Sequence, residues 1–284
     1  MKRQKFIVAF FSMFFIWACT PEPLDIEIPQ ADPKLVVYSQ ALPAQGLVVA
    51  LTKSFSALTL PEEQKDSTKQ DSINNLFLSQ FLVDNALVTL NGPDYNDTLL
   101  PIANGVYLAT LFPATPGLTY NLKAFDPQTG FSVDASTSAL PIVNFDTVYA
   151  KRKFEDDSST ISVHYSIDDP PGEQYYLLNI YSDSIPQGNF FSFSGNNNHN
   201  SIAFSDREFP QNEVKGIEQY EIGKSDTVVV TLTNISRDFF DYIKARERSD
   251  NSFLSEPVSY PSNVNNGLGF FNIHQPSARV IEID

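Results

Sequence analysis

Cysteine occurs once in these 284 residues, at position 19, so no intrachain disulfide can staple the fold. Histidine occurs three times, at His164, His199 and His274, and none has a partner at metal-ligand spacing, which removes any sequence-encoded zinc motif. No Gly-x-Ser-x-Gly occurs, so a nucleophile elbow is absent. Cations are scarce: 19 Lys and Arg stand against 34 Asp and Glu, a net charge of −15. A surface this acidic repels phosphate backbones and excludes nucleic acid as a partner. The longest apolar run, Phe6–Trp17, is too short to cross a bilayer as a helix.

What is present begins with that run. Lys2, Arg3 and Lys5 precede it, and Thr20-Pro21-Glu22-Pro23 follows the small residue Ala18, which is the grammar of a secretory signal over residues 1–18. Ile16-Trp17-Ala18-Cys19 resembles a bacterial lipobox, in which the cysteine thiol is acylated and becomes the mature N-terminus. Cys19 is then the lipidation site, no cofactor is expected beyond the covalent lipid, and no thiol is left for catalysis. Several acyl chains on one residue hold a protein stably to a membrane, so membrane contact is expected through the lipid alone. Loss of Lys2, Arg3 and Lys5 with the signal takes the charge from −15 to about −18. Residues 19–33 read as a tether, kept extended by Pro21, Pro23, Pro29 and Pro33.

Twenty-three Phe and 12 Tyr against two Met favour strands over helices. Leu35–Tyr38 and Leu47–Leu51 are strand candidates. Residues 61–75 have almost nothing to bury and read as an exposed loop. From Ala86 strands alternate with turns: Ala86–Leu90, Thr98–Ile102, Asn104-Gly105, Val106–Phe112, Thr119–Phe125, Asp126–Gly130, Phe131–Ser138. This spacing predicts an antiparallel, Ig-like β-sandwich over residues 34–141.

A second β-rich domain is expected over 142–284. Thr160–Asp168 alternates, with Ile161, Val163, Tyr165 and Ile167 on one face and Ser162, His164 and Ser166 on the other. Tyr175–Tyr181 reads as a strand buried on both faces. Gly216–Ile222 and Thr227–Leu232 flank Gly223–Asp226 as a hairpin. A helix is predicted over 237–248, capped by Ser236 and carrying the stripe Phe239, Phe240 and Ile243. Gly267–Ile273 and Ala278–Ile283 close the chain as strands. Gly267 and Gly269 leave one strand face bare for the approach of another backbone or ring, a packing role between sheet and helix.

Pro33–Val37 just after the lipobox, the helix Phe239–Arg246, Glu256-Pro257-Val258 and Pro261–Phe271 together resemble the Bacteroidota lipoproteins of domain-of-unknown-function family 4249. The resemblance implies an acylated envelope protein of two β-rich domains. It also implies an accessory role beside a TonB-dependent outer-membrane receptor. It brings no catalytic residues.

The chemistry-bearing motifs are few. Asp94–Asp97 lacks the glycine and distal glutamate of a calcium loop and reads as a turn. Asp156-Asp157 and Asp168-Asp169 read as turn caps. Six Asp-Ser/Thr triplets resemble the O-glycosylation signal of exported Bacteroidota proteins, with Ser67, Ser72, Thr98 and Ser184 as candidate acceptors. Phe190, Phe191, Phe193 and His199 lie in a long polar loop and are a candidate partner contact. The expected function is therefore non-enzymatic: an outer-membrane-anchored binding or scaffold protein in nutrient uptake. Glu22, Asp25 and Glu27 tip the undecided membrane face slightly toward the surface. A hydrolase of envelope glycans or peptides and a purely structural surface module stand as the alternatives.

Overall fold

The computed structural model describes residues 32–43, 45–54, 81–155, 158–182, 201–209, 213–221, 226–250 and 260–284. Pro33–Asp284 form one compact unit, mainly β, built from two sandwiches. The first begins with β1 (Leu35–Leu42) and β2 (Gly46–Lys53), an antiparallel pair in register over eight residues. It continues through β3 (Leu87–Asn91), β4 (Asn96–Thr98), β5 (Leu100–Ala103), β6 (Val106–Ala109), β7 (Thr119–Phe125) and β8 (Ser132–Ser138). Strand alternation does the packing. In β7, Tyr120, Leu122 and Ala124 point inward while Asn121, Lys123 and Phe125 point out. The inward set meets Leu35, Val37, Leu47, Val49, Leu51 and Tyr107 of the facing sheet in one apolar cluster. Full burial of a side chain of this size contributes about 1.5–3 kcal/mol.

The second sandwich comprises β9 (Phe145–Glu155), β10 (Ser158–Ile167), β11 (Tyr175–Ser182), β12 (Ser201–Ser205), β13 (Lys215–Glu221), β14 (Thr227–Ile235) and β17 (Ser277–Glu282). The sheet β13-β10-β9 faces the sheet β12-β11-β14-β17. They meet along one edge, where Arg152 N–H donates to the Asp284 carbonyl (2.7 Å) and Asp284 N–H to the Ala150 carbonyl (3.2 Å). Ile161, Val163, Tyr165 and Ile167 all face its core, in the phase read from the sequence.

Helix α1 (Arg237–Asp250) starts where Ser236 Oγ accepts the Phe239 N–H at 3.3 Å. Its Phe239 and Ile243 join Ala203 and Ile235 of the second sandwich and Phe270 of the first in a third cluster. Tyr38, on the outer face of β1, is pushed up in pKa by burial, with Arg246 of α1 opposing that shift. The first sheet of the N-terminal sandwich is thus covered on both faces near β1, which is why β1 and β2 read as near-continuous apolar runs.

Four expectations need correction. Residues 142–284 do not form a separate body: β15 (Val264–Asn265) pairs with β8, and β16 (Leu268–Phe270) pairs parallel with β1, so the C-terminal segment returns to complete both sheets of the first sandwich. Thr98–Ile102 is not one strand. Leu99 is buried and its N–H donates to the Val88 carbonyl (2.9 Å), and the chain changes sheets there, from β4 to β5. β13 and β14 do not form a hairpin; β13 pairs with β10, while β14 lies between β11 and β17 in the facing sheet. The C-terminal glycines pack against strand rather than helix. A Cβ on Gly267 would lie 2.6 Å from Val133 Cγ1 and 2.8 Å from the Leu35 carbonyl, and it is Phe270 that meets α1.

Candidate binding face

Cys19, Ser67, Ser72, Ser184, Phe190, Phe191, Phe193 and His199 lie outside the described residues, as do Asp156 and Asp157. Thr98 is described: it ends β4, exposed, with its N–H on Asp97 Oδ1 at 2.8 Å. His164 stands on the outer face of β10, stacked on Tyr149 at 4.7 Å, with Nε2 3.3 Å from Ser162 Oγ. His274 is buried, its Nδ1 finds no hydrogen-bond partner among the described residues, and burial pulls its pKa down to about 4. Asp169 accepts the Tyr176 hydroxyl. Asp94 accepts Thr115 Oγ1 at 2.5 Å and the Tyr120 hydroxyl at 2.7 Å, so the turn Asp94–Asp97 anchors a core tyrosine. Among the described residues no group of three or more His, Cys, Asp or Glu side chains is placed to hold a metal ion. None of their helices is long and apolar enough to cross a membrane.

The described residues do assemble one organised polar surface, on the outer face of the sheet β15-β8-β7-β3-β4. Pairing places Asn96, Asn91, Asn121 and Ser136 in one row across four strands. Two residues further along each strand, Thr98, Thr89, Lys123, Asp134 and Asn265 form a second row. Leu87, Phe125 and Ser132 form a third. Between the first two rows lies a shallow cleft of about 520 Å³, lined by Asn91, Asn121, Lys123, Asp134 and Ala135.

Each row follows from strand alternation. Val88 and Leu90, Leu122 and Ala124, and Val133 and Ala135 are held in the core, so their neighbours must face out. Asn265 Nδ2 donates to Asp134 Oδ2 at 2.8 Å and steadies that carboxylate. Lys123 lies directly opposite Asp134, so the second row carries one charge of each sign. The surface can offer amide donors and acceptors with no net charge. Phe125 is 44% exposed and Leu87 55% exposed, so an apolar strip borders the polar rows. Sequence reading passed over these residues because each looks like an ordinary solvated strand position. The available signal was asparagine at three outward strand positions, Asn91, Asn96 and Asn121, where strands usually exclude it.

The family described as Domain of unknown function (DUF4249) matches residues 21–279. No curated protein matches the chain. Among solved structures it is similar to the FN1–FN3 domains of chicken CNTN1, at 12% identity and a TM-score of 0.25, over 74% of this chain. The match spans 62% of that structure's length.

Proposed function

The chain belongs to the DUF4249 family, and from that premise we propose that it is an acylated lipoprotein of the Bacteroidota outer membrane that binds a partner or ligand without catalysing a reaction. The observation that carries the proposal is the position of Cys19: the one cysteine of the chain falls at the residue where the signal sequence ends. Acylation there anchors the protein, and the proline-rich residues 19–33 hold the sandwiches off the leaflet. The partner is a TonB-dependent receptor, with Phe190, Phe191, Phe193 and His199 as the contact and the cell surface as the favoured side.

Gently solubilised envelopes test this. A TonB-dependent receptor is expected to co-purify with the wild-type protein and to be lost from a variant lacking Gly188–Asn200. Cys19→Ala is expected in the soluble fraction without the receptor. Purification of the membrane-bound wild type with no such receptor enriched contradicts the proposal.

A further inference from the structure

We propose that the outer face of β4-β3-β7-β8-β15 binds a neutral oligosaccharide, laid across the strands over the cleft between its first two rows. The inference deepens the binding role proposed above by naming the ligand class.

Asparagine is unfavourable in strands, yet Asn96, Asn91 and Asn121 stand in register on three neighbouring strands. Asn91 and Asn121 make no side-chain hydrogen bond to another described residue, so the row contributes nothing evident to the fold. A sugar hydroxyl both donates and accepts, and a side-chain amide offers both functions from one planar group. Lys123 and Asp134 add a strong donor and a strong acceptor on the same cleft. The whole chain carries −15, but these two charged residues oppose each other, so the cleft suits a neutral ligand and the surrounding acidity disfavours an anionic one.

Geometry gives the orientation. Adjacent strands are roughly 4.8 Å apart, close to the length of one pyranose ring, so a chain running across the strands offers about one sugar per strand. Successive rows are roughly 6.8 Å apart along each strand, which leaves room for a ring edge between them. Phe125, beside Lys123 two residues on, supplies an exposed aromatic surface for the apolar C–H face of a sugar. A peptide fits less well. Strand addition needs a free sheet edge, whereas this surface is a sheet face whose backbone groups already pair with neighbouring strands.

The test uses the full lipoprotein in detergent micelles, without any receptor, so its outcome is separate from that of co-purification. The probes are cellohexaose, xylohexaose, mannohexaose, maltohexaose, laminarihexaose, polygalacturonate and an unstructured Gly/Ser peptide, measured by calorimetry. At least one neutral hexasaccharide is expected to bind. The double variant Asn91→Ala/Asn121→Ala is expected to weaken that binding by about tenfold or more, and Phe125→Ala to weaken it too, both with unchanged melting temperature. Binding of none of the neutral probes overturns the proposal. So does binding that the double variant leaves unchanged, or tighter binding of the polyanion or the peptide.

Discussion

A Cβ on Gly269 would overlap the carbonyl oxygen of Val37, its partner in the parallel pairing of β16 with β1. Gly269 also has φ +93°, a region that side chains resist. The return of the C-terminal segment to the first sandwich therefore depends on a residue with no side chain. Gly269→Ala is expected to cost about 3 kcal/mol from strain and overlap combined. Gly130→Ala, with φ +75° but no described atom within 4 Å of the added Cβ, is expected to cost about 1 kcal/mol. Urea denaturation of the two variants side by side separates overlap from backbone strain.

Phe270, the next residue, couples that return to helix α1. Its ring lies 5.0 Å from Phe239 and 5.4 Å from Tyr242, and its side chain is buried. Phe270→Ala is expected to cost about 3–5 kcal/mol. Amide exchange within Phe239–Arg246 should accelerate more than exchange in β7, because the helix packs on this cluster and not on the first core. Equal acceleration in both places would show that α1 does not depend on the ring.

His274 sets an expected pH dependence. Burial lowers its pKa from 6.5 to about 4, so between those values the unfolded chain binds a proton that the folded chain refuses. The stability linked to this residue is full above pH 6.5 and falls as the pH drops to 4, by about 3 kcal/mol. Below that both states are protonated and the residue adds no further slope. His274→Gln is expected to flatten the urea midpoint between pH 6.5 and 4; an unaltered slope would mean the ring is not held neutral by burial.

Asp94 acts at lower pH. Hydrogen bonds from Thr115 and Tyr120 hold its carboxyl below the usual value of 3.8. A depressed acid stabilises the fold above its unfolded pKa, and that contribution disappears as the pH falls through the folded value. Asp94→Asn should therefore flatten the stability curve only below about pH 4. Tyr120→Phe removes the hydroxyl that donates to Asp94 and accepts the Thr115 N–H (2.9 Å), and is expected to cost about 1–2 kcal/mol at neutral pH.

Local pattern carried much of the fold. Turn spacing located β7, period-two alternation located β10, and Asn104-Gly105 marked the turn between β5 and β6, with Gly105 at φ +66°. What escaped the sequence was partnership between distant residues. Thr98–Ile102 reads as one strand because nothing local reveals that Leu99 buries itself and passes the chain between sheets. The turn chemistry of Gly223–Asp226 reads as a hairpin, but a turn does not dictate which sheet each flanking strand joins, and β10 and β11 claim β13 and β14 respectively. The glycines at 267 and 269 announced a close approach without naming β1 as its partner. The polar face depended on the same kind of knowledge. Asn91, Asn121 and Asn265 become neighbours of Lys123 and Asp134 only once the register of five strands is fixed.

Whether Cys19 carries the proposed membrane anchor is read from the intact mass of the native protein. Recovery from the outer-membrane fraction, a mature chain starting at Cys19 and added mass equal to its acyl groups are expected. A protein released into the culture fluid with residue 19 present as a free, unmodified thiol would contradict it.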